Sequence, residues 1–470
     1  MIKKQILTIS SVALLAGCTT FSRDGGMTVV NDLTRPRIGQ EAVWLRNDAD
    51  EKSAHTATRA LLVKPLAADE AVKIALLNNR GLQAAYAELG IAEADLVQAG
   101  RLRNPGFSFS RLRRADEIEI ERTFLFDVLG LITMPLRTEL ERRRVGLTQG
   151  RVAGEVIQLA ADTRRAWVAA VAAQESATYA VQVREAAEAS AELARRMAAA
   201  GNFSKLDHAR EQVFYAEATA QLARARQSAI SEREKLTRLM GLWGDDTRFT
   251  LPARLPDLPK DARALREARD LEAQAIKTRL DVRGSVQEAE NLASSMGLTR
   301  ATGFLNVFEV GYQRNSESHE PRQTGYEIEL RLPIFDWGGA KVARAEHAYM
   351  QAVHRAADTA VRARSEVREA YGAYRTAYDL ARHYRDEIVP LRKNISEEVL
   401  LRYNGMLMSV FELLADARQQ IAAVTAAIDA RRDFWLAEAN LNLALTGKSP
   451  GALMLTSSPS HAASGSAGDH

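Results

Sequence analysis

Residues 117–127 read EIEIERTFLFD, in which every second residue from Ile118 to Phe126 is apolar except Arg122. In an extended segment such alternation places the two kinds of side chain on opposite faces. One face therefore carries Ile118, Ile120, Phe124 and Phe126, and the opposite face carries Glu119 and Glu121. Residues 325–333 repeat the pattern, with Glu327 and Glu329 between apolar neighbours. Both stretches are predicted to be amphipathic strands with an acidic face.

Each predicted strand has an alternating partner just before it, at 106–115 and at 305–314. Strands of this length can cross a bilayer at a tilt. An apolar face towards lipid and a charged face towards the lumen are typical of a water-filled barrel. The alternation alone fits two amphipathic hairpins on a soluble core equally well. Four strands cannot close a barrel, and open edges in lipid leave backbone groups unsatisfied. Several chains would therefore have to contribute strands to one barrel.

The sequence contains an internal duplication, because corresponding segments recur in the same order in its two halves. Pro135 and Pro333 occupy matching places after the strand pairs, and Trp167 and Tyr371 match in the helical parts. The sequence predicts an extended N-terminal arm at 18–68, a first repeat at 69–248 and a second repeat at 265–447. A proline-marked connector at 249–264 joins the repeats, and a disordered Ser/Ala/Gly tail follows at 448–470.

Each repeat is predicted to contain a long helical hairpin, at about 138–240 and 340–446. Residues 138–200 lack proline and carry small apolar residues at spacings of three and four, as in a closely packed coiled coil. The helices turn at Gly201–Ser204 and near Gly405, far along the chain from the strands. The predicted fold class is mainly α, with duplicated α-hairpins forming a tunnel and four β-strands per chain in a shared barrel.

The N-terminus reads as a targeting segment at 1–17, with lysines, then an apolar stretch, then Leu15-Ala16-Gly17-Cys18. This ending resembles the lipobox of bacterial lipoproteins, in which the cysteine is acylated and becomes the first residue. Thr19 follows the cysteine, which in that family implies sorting to the outer membrane. The alternative is an ordinary secretory signal that happens to end near a cysteine. Cys18 is thus the candidate lipidation site.

Composition excludes several function classes. Cys18 is the only cysteine, the net charge is +3, and basic and acidic residues are interleaved, so nothing indicates disulfides or nucleic-acid binding. No catalytic, cofactor-binding or metal-binding motif is found. His347 and His354 are two helical turns apart, too far to share a metal ion. Met406 and Met408 suit soft-metal contacts, but packing in a flexible turn explains them as well.

From about Leu66 to Gly447 the sequence resembles the TolC-type outer-membrane factors. The resemblance rests on residues 75–80 (ALLNNR), on 103–107 (RNPGF) and above all on 332–338 (LPIFDWG). It implies a homotrimer with four strands per protomer in one barrel and a helical tunnel through the periplasm, and no chemical step. It also implies docking of the helical turns onto a periplasmic adaptor and an inner-membrane pump. The residues that match the turns are Gly201, Ser204, Gly405 and Ser409.

The resemblance further implies an acidic constriction beside the second turn. Glu412 matches the family's acid, and Asp207 is its counterpart in the first repeat. The family can place a second acid three residues on, where this chain has Ala415; Asp416 follows on roughly the same helix face. Three copies around an axis would repel one another and attract cations. The alternative is an exposed acid at a helix start, where the helix dipole favours it.

The sequence therefore predicts a non-enzymatic, lipid-anchored efflux duct of the outer membrane, in contact with outer-membrane lipids. Glu119, Glu121, Glu327 and Glu329 would face its lumen. The duct of a type I protein-secretion system is an alternative with the same body. A periplasmic coiled-coil scaffold lipoprotein without a pore is an alternative from a different class.

Overall fold

A single antiparallel sheet joins the two strand hairpins of the chain. The computed structural model describes residues 20–114, 116–260, 270–302, 307–318, 320–330 and 334–447. The strands are β1 (Gly106–Arg114), β2 (Glu117–Asp127), β3 (Phe308–Glu317) and β4 (Gln323–Leu330). Their order in the sheet is β1-β2-β3-β4, so β1 and β4 are its edges.

Helices make up most of the remaining described chain. Before the first hairpin they are α1 (Met27–Ile38), α2 (Asp48–Leu62), α3 (Ala68–Asn78) and α4 (Arg80–Ala99). Between the hairpins they are α5 (Val128–Ala199), α6 (Lys205–Met240), α7 (Leu271–Thr278) and α8 (Leu280–Thr302), with a 3₁₀ turn at Gly244–Thr247. After the second hairpin they are α9 (Gly339–His383), α10 (Val389–Asn404) and α11 (Val410–Thr446), with a π-helical turn at Tyr384–Ile388. The predicted fold class, mainly helical with four strands, is confirmed.

The chain divides into two compact units. The first comprises residues 1–52, 79–157 and 276–362, and the second comprises 53–78, 158–275 and 363–470. The first unit contains the whole sheet, and the second contains both helical turns that the sequence singled out. No helix in the described ranges is long and apolar enough to cross a membrane.

The structure corrects the prediction of an extended N-terminal arm, because residues 27–62 are largely helical as α1 and α2. The Asn31 side chain holds the segment between these helices by accepting from the Ala42 N–H at 2.8 Å and donating to its carbonyl at 3.1 Å. The Gln83 side chain of α4 binds the backbone of Val43 and Leu45 at 2.9 Å each. The weak periodicity of this segment did not predict its helices, because contacts with residues distant in sequence order it.

The helix after the first hairpin starts earlier than predicted, at Val128 rather than near 138. Asp127 explains this start, because its Oδ1 accepts a hydrogen bond of 2.6 Å from the Gly130 N–H and satisfies a first-turn donor. Pro135 therefore lies inside α5 and not at a strand end. β3 runs to Glu317 instead of ending at Arg314, and β4 begins at Gln323 instead of Gly325. The predicted strand residues 305–306 and 331–333 lie outside the described residues.

Two apolar cores hold the second unit together, one around each helical pair. Trp167 of α5 is buried in the first core and donates from Nε1 to the Leu66 carbonyl at 2.7 Å. Phe434 of α11 is buried in the second and lies against the rings of Tyr374 and Tyr378. The described part of the connector packs here as well, since the Tyr378 hydroxyl donates to the Pro259 carbonyl at 3.1 Å. The predicted segments 1–17 with Cys18, 261–264 and 448–470 lie outside the described residues.

Candidate channel faces and helical turns

The register of the sheet sorts its charged residues onto two faces. Residues directly opposite each other in neighbouring strands share a face, so one face can be followed across Ser110–Glu121, Glu119–Glu317 and Gly311–Glu327. All the carboxylates of the four strands lie on that face: Glu117, Glu119, Glu121, Asp127, Glu309, Glu317, Glu327 and Glu329. The four acids singled out from the sequence are therefore brought together on one surface. We call it the acidic face.

Polar partners accompany the carboxylates on the acidic face. Gln313 of β3 donates from Nε2 to the Glu327 carboxylate of β4 at 2.6 Å. At the end of the sheet next to the helices, Arg103 forms an ion pair with Asp127 at 3.2 Å. Charge repulsion between neighbouring carboxylates is the expected cost of this face, and it is smallest where water can reach them. An acidic sheet face of this kind therefore belongs against water.

The opposite face, which we call the apolar face, carries all the aromatic residues of the strands and most of the aliphatic ones. Phe107 contacts Phe124 across β1 and β2, with ring centroids 4.9 Å apart. Much of this face is exposed in the single chain, including Phe107 at 58% and Tyr326 at 81%. Exposed contiguous apolar surface marks a region that meets lipid or another protein. A sheet that is acidic on one side and apolar on the other suits a boundary between water and lipid.

The first helical turn, at the end of α5, is closed by a left-handed residue. Gly201 has φ +79°, the Asn202 N–H donates to the Met197 carbonyl at 2.9 Å, and the Gly201 N–H donates to the Ala198 carbonyl at 3.1 Å. This pair of bonds is a Schellman motif, in which glycine avoids the strain that a Cβ would meet. Ser204 then caps α6 by accepting from the Asp207 N–H at 3.0 Å.

The second turn uses a different residue for the same geometry. Gly405 has φ −80°, an ordinary value, whereas Met406 is left-handed at φ +57°. The Leu407 N–H donates to the Arg402 carbonyl at 2.9 Å, so the Schellman motif is centred on Met406. The structural counterpart of Gly201 is thus Met406 and not Gly405. The sequence comparison paired the two glycines because glycine is the usual residue at such a turn.

The structure brings the two turns together, which the sequence did not show. Phe203 of the first turn stacks on Phe411 at the start of α11, with ring centroids 4.7 Å apart. Val410 and Tyr403 of the second turn lie in the same apolar cluster as Phe203. The available sequence signal was an aromatic residue at each turn, Phe203 within the first and Phe411 two residues after Ser409 in the second. The pair of turns therefore forms one surface of the second unit.

The candidate gate residues occupy different environments. Glu412 is exposed and completes a capping box, since its carboxylate accepts from the Ser409 N–H at 2.9 Å and its own N–H donates to the Ser409 hydroxyl at 3.3 Å. The backbone bond and then the hydroxyl bond from Ser409 hold the pKa of Glu412 below its usual value. Asp207 pairs with Arg210 at 3.2 Å.

Asp416 departs from the expectation that it shares a surface with Glu412. It is buried, and its Oδ2 has no hydrogen-bond partner within the described residues. One helical turn separates the two carboxylates along α11, but neighbouring helices cover only the second. Burial against other helices cannot be read from spacing along one helix, which explains the difference.

Partly buried ion pairs between helices are a further feature that sequence reasoning missed. Glu211 of α6 accepts from the Ser190 hydroxyl of α5 at 2.6 Å and pairs with Arg418 of α11. Arg431 of α11 pairs with Glu175 of α5 at 2.7 Å. Such pairs add little net stability, because the desolvation of the two charges offsets their attraction. Across the part of the chain described, no group of three His, Cys, Asp or Glu side chains could hold a metal ion.

The chain shares its fold with solved outer-membrane channels. Comparison with solved structures bears this out: VceC of Vibrio cholerae matches with a TM-score of 0.67 at 14% identity, over 81% of this chain and 96% of that one. The MtrE channel of Neisseria gonorrhoeae matches with a TM-score of 0.66 at 18% identity, over 80% and 88%. The resemblance inferred from the sequence is confirmed.

One curated relative is similar in sequence. The cobalt-zinc-cadmium resistance protein CzcC of Cupriavidus metallidurans is 26% identical over 277 residues, which are 58% of this chain and 64% of the relative. The match thus spans somewhat less than two thirds of that protein. No family model matches the chain.

Proposed function

We propose that this chain is the outer-membrane duct of an efflux system, a passive channel subunit and not an enzyme. The observation that carries the proposal is the segregation of every strand carboxylate onto one face of an open four-stranded sheet. A closed barrel built from such sheets has a polar, water-filled lumen and an apolar outer wall. Glu119, Glu121, Glu327 and Glu329 then line the lumen. The solved relatives are described as outer-membrane proteins and channels, which supports this location.

The edges of the sheet support assembly from several copies. β1 and β4 each have a neighbouring strand on one side only within the described residues, so both are edge strands of the sheet. Unpaired edges in lipid cost several kcal/mol per group, and closure removes them. Pairing β4 of one copy with β1 of the next closes the barrel, and a homotrimer gives it twelve strands. The expected species is a trimer that withstands detergent and dissociates on heating.

The paired turns of the second unit are the proposed docking surface for a periplasmic adaptor, through which an inner-membrane pump supplies the energy. Gly201, Ser204, Gly405 and Ser409 shape this surface, and exposed apolar side chains project from it. Met406 and Leu407 are 93% and 82% exposed. Apolar side chains exposed to this degree suit burial by a partner. Cys18 is the proposed site of acylation, which would tether the protein to the membrane.

Glu412 is the proposed gate acid, because it is the exposed carboxylate of the second turn. Asp207 is a weaker candidate, since it is paired with Arg210. Asp416 can take part only if helix packing changes to expose it, because it is buried in this conformation.

Planar-bilayer conductance of the purified full chain tests both the proposed duct and the proposed gate acid. The parent protein is expected to conduct in discrete steps; complete absence of conductance from a detergent-resistant trimer would overturn the duct. Glu412→Gln is the sharper gate variant than alanine, because glutamine retains an acceptor for the Ser409 N–H while removing the charge. Its expected result is higher open probability and weaker cation preference. Ser409→Ala is the matched control, since it weakens the same cap but leaves the carboxylate.

Efflux is favoured over protein secretion by one observation, the similarity to a metal-resistance protein. Deletion of the gene should sensitise cells to small toxic solutes without abolishing secretion of a protein. A non-pore scaffold lipoprotein predicts neither conductance nor a heat-modifiable trimer. Loss of palmitate labelling in Cys18→Ser, with labelling in the parent, tests the anchor separately.

A further inference from the structure

A cleft of about 650 Å³ lies where the first strand hairpin meets its helices. Its apolar lining includes Leu102, Phe126, Leu131 and Met134, which come from the segment before β1, from β2 and from α5. Every residue that lines it belongs to the first unit. Pockets of roughly this volume hold drug-sized ligands, so two aromatic side chains fit within it. We call it the junction cleft.

The junction cleft lies on the side of α5 that is turned away from β3. On the opposite side, Arg143 of α5 donates to the Ser294 hydroxyl of α8 at 2.8 Å, and α8 is the helix that leads into β3. The cleft residues Arg137 and Glu141 lie about 120° and 160° around α5 from Arg143, at about 100° per residue. The other wall of the cleft is the end of α4 and the segment that leads into β1. The cleft is therefore next to the β1 edge of the sheet.

The charges of the junction cleft are incompletely paired. Two ion pairs line it, Arg103–Asp127 at 3.2 Å and Arg144–Glu141 at 2.6 Å. Arg101 and Arg137 also line it, and neither forms an ion pair with a carboxylate of the described residues. A guanidinium group binds the face of an aromatic ring or a carboxylate. The cleft thus suits aromatic side chains that have an acidic neighbour.

The opposite edge of the sheet carries side chains of this kind. Residues 334–338 (IFDWG), which we call the aromatic turn, lie between β4 and α9. The turn is fixed locally, because the Asp336 carboxylate accepts from the Gly338 N–H at 2.8 Å and Gly338 is left-handed at φ +80°. In the single chain Phe335 is 100% exposed and Trp337 is 74% exposed. Large aromatic side chains exposed together mark a surface that meets another molecule.

Closure of the barrel brings the aromatic turn to the junction cleft. β1 runs away from the helix-connected end of the sheet and β4 runs towards it. Pairing β4 of one copy with β1 of the next therefore places the residues after β4 beside the residues before β1. Trp337 follows Leu330 by seven residues and Leu102 precedes Gly106 by four, spans of at most about 25 Å and 14 Å. The rings of one copy are thus within reach of the cleft of its neighbour.

We propose that Phe335 and Trp337 of one copy occupy the junction cleft of the next copy, where Arg101 and Arg137 contact the rings and the Asp336 carboxylate. This inference rests on the proposed function, because it requires β4 to pair with β1 of a neighbouring copy. Backbone pairing between two edge strands specifies register only weakly, whereas aromatic side chains seated in a charged cleft fix it. The contact therefore aligns neighbouring copies at the point where the strands give way to helices.

Thiol cross-linking of the purified full-chain trimer tests the contact. The double variant Leu102→Cys/Trp337→Cys, treated with a short bis-maleimide, is expected to give covalent dimers and trimers that survive boiling. Within one chain the two edges of the sheet are three strand spacings apart, about 14 Å, so a short reagent favours the link between copies. The matched control Leu102→Cys/Trp243→Cys places the second thiol at another exposed tryptophan and should stay monomeric after boiling.

The heat stability of the trimer gives an independent measurement. Phe335→Ala/Trp337→Ala should lower the temperature at which the trimer dissociates in detergent by at least about 5 °C, because two anchoring rings are removed. Trp243→Ala also removes an exposed ring and should dissociate at the parent temperature. The helical signal of each variant, measured alongside, distinguishes weaker assembly from failure to fold.

Three results would overturn the proposal. The first is a trimer in which the Leu102/Trp337 thiols form no link between copies. The second is a parent-like dissociation temperature for the folded Phe335/Trp337 double variant. The third is quenching of tryptophan fluorescence by lipids with brominated chains that Trp337→Phe abolishes, since the ring would then face lipid. Conductance of the same preparations separates the two hypotheses: a conducting trimer without the cross-link leaves the duct standing and removes only the contact in the cleft.

Discussion

At the scale of single residues, the two helical turns show how one geometry is built from different side chains. Gly201 and Met406 are both left-handed, and both are followed three residues later by a serine that caps the next helix. Glycine adopts this conformation without steric cost, whereas a residue with a Cβ meets its own carbonyl oxygen. The second turn therefore stores strain that the first does not, beside the surface proposed for docking.

The two glycines should respond oppositely to alanine. Gly201→Ala places a Cβ at φ +79° and should destabilise the protein by about 1–2 kcal/mol. Gly405→Ala is its matched control, since φ is −80° and the nearest atom to an added Cβ is 3.5 Å away. It should be neutral or stabilising by up to about 1 kcal/mol. Thermal unfolding of the helical signal measures both; a larger loss at Gly405 would contradict the assignment of the turn.

Met406→Gly should raise the unfolding temperature, because it removes the Cβ from a left-handed residue. The expected gain is about 1 kcal/mol, and the exposed side chain contributes little packing to offset it. Met408→Gly, two residues on, is the control and should give no gain. If the methionine also meets an adaptor, Met406→Gly should weaken binding to that partner while stabilising the isolated protein.

At the scale of elements, α11 begins with reciprocal hydrogen bonds between Ser409 and Glu412. These bonds satisfy two backbone donors that a helix start leaves unpaired. The same acid that the family resemblance marks as a gate is thus a cap. A substitution of Glu412 can alter both the helix cap and the proposed gate, so stability and conductance have to be measured on the same variants.

The cap predicts a specific pH dependence. The pKa of Glu412 is lowered in the folded protein, so its contribution is complete above the ordinary carboxyl pKa and is lost as pH falls through the lowered value. Glu412→Gln should therefore lose less stability than the parent across that acidic range. Ser409→Ala should cost about 1 kcal/mol at neutral pH, because it removes the acceptor for the first turn. Parallel melting curves of parent and Glu412→Gln on acidification would contradict the prediction.

At the scale of the whole molecule, the sheet separates charge by face and leaves its edges open. The separation of charge follows from the register, since a shift of one residue would move every side chain to the other face. The open edges follow from the strand order, which leaves β1 and β4 outermost. An acidic lumen should favour cations at low salt, where screening is weak. This cation preference depends on the charge of the side chains on the acidic face and not on their length.

Replacing Glu119, Glu121, Glu327 and Glu329 together by glutamine should lower the cation-to-anion permeability ratio of the duct. Reversal potentials in asymmetric salt measure the ratio, and the difference should shrink as ionic strength rises. The matched control replaces the same four residues by aspartate, which keeps the charge and should preserve the ratio. An unchanged ratio in the glutamine variant would show that these residues do not face the conducting path.

The sequence by itself determined the strands, the duplication and the faces of the sheet, because period-two alternation and repeated motifs are local signals. It also located both turns, and the structure places the left-handed residue of the second turn at Met406, directly after Gly405. Only the tertiary structure decided that residues 27–62 are helical, that Asp416 is buried, and that Phe203 meets Phe411. Contacts between segments distant along the chain depend on which faces meet, and spacing within one segment does not encode that.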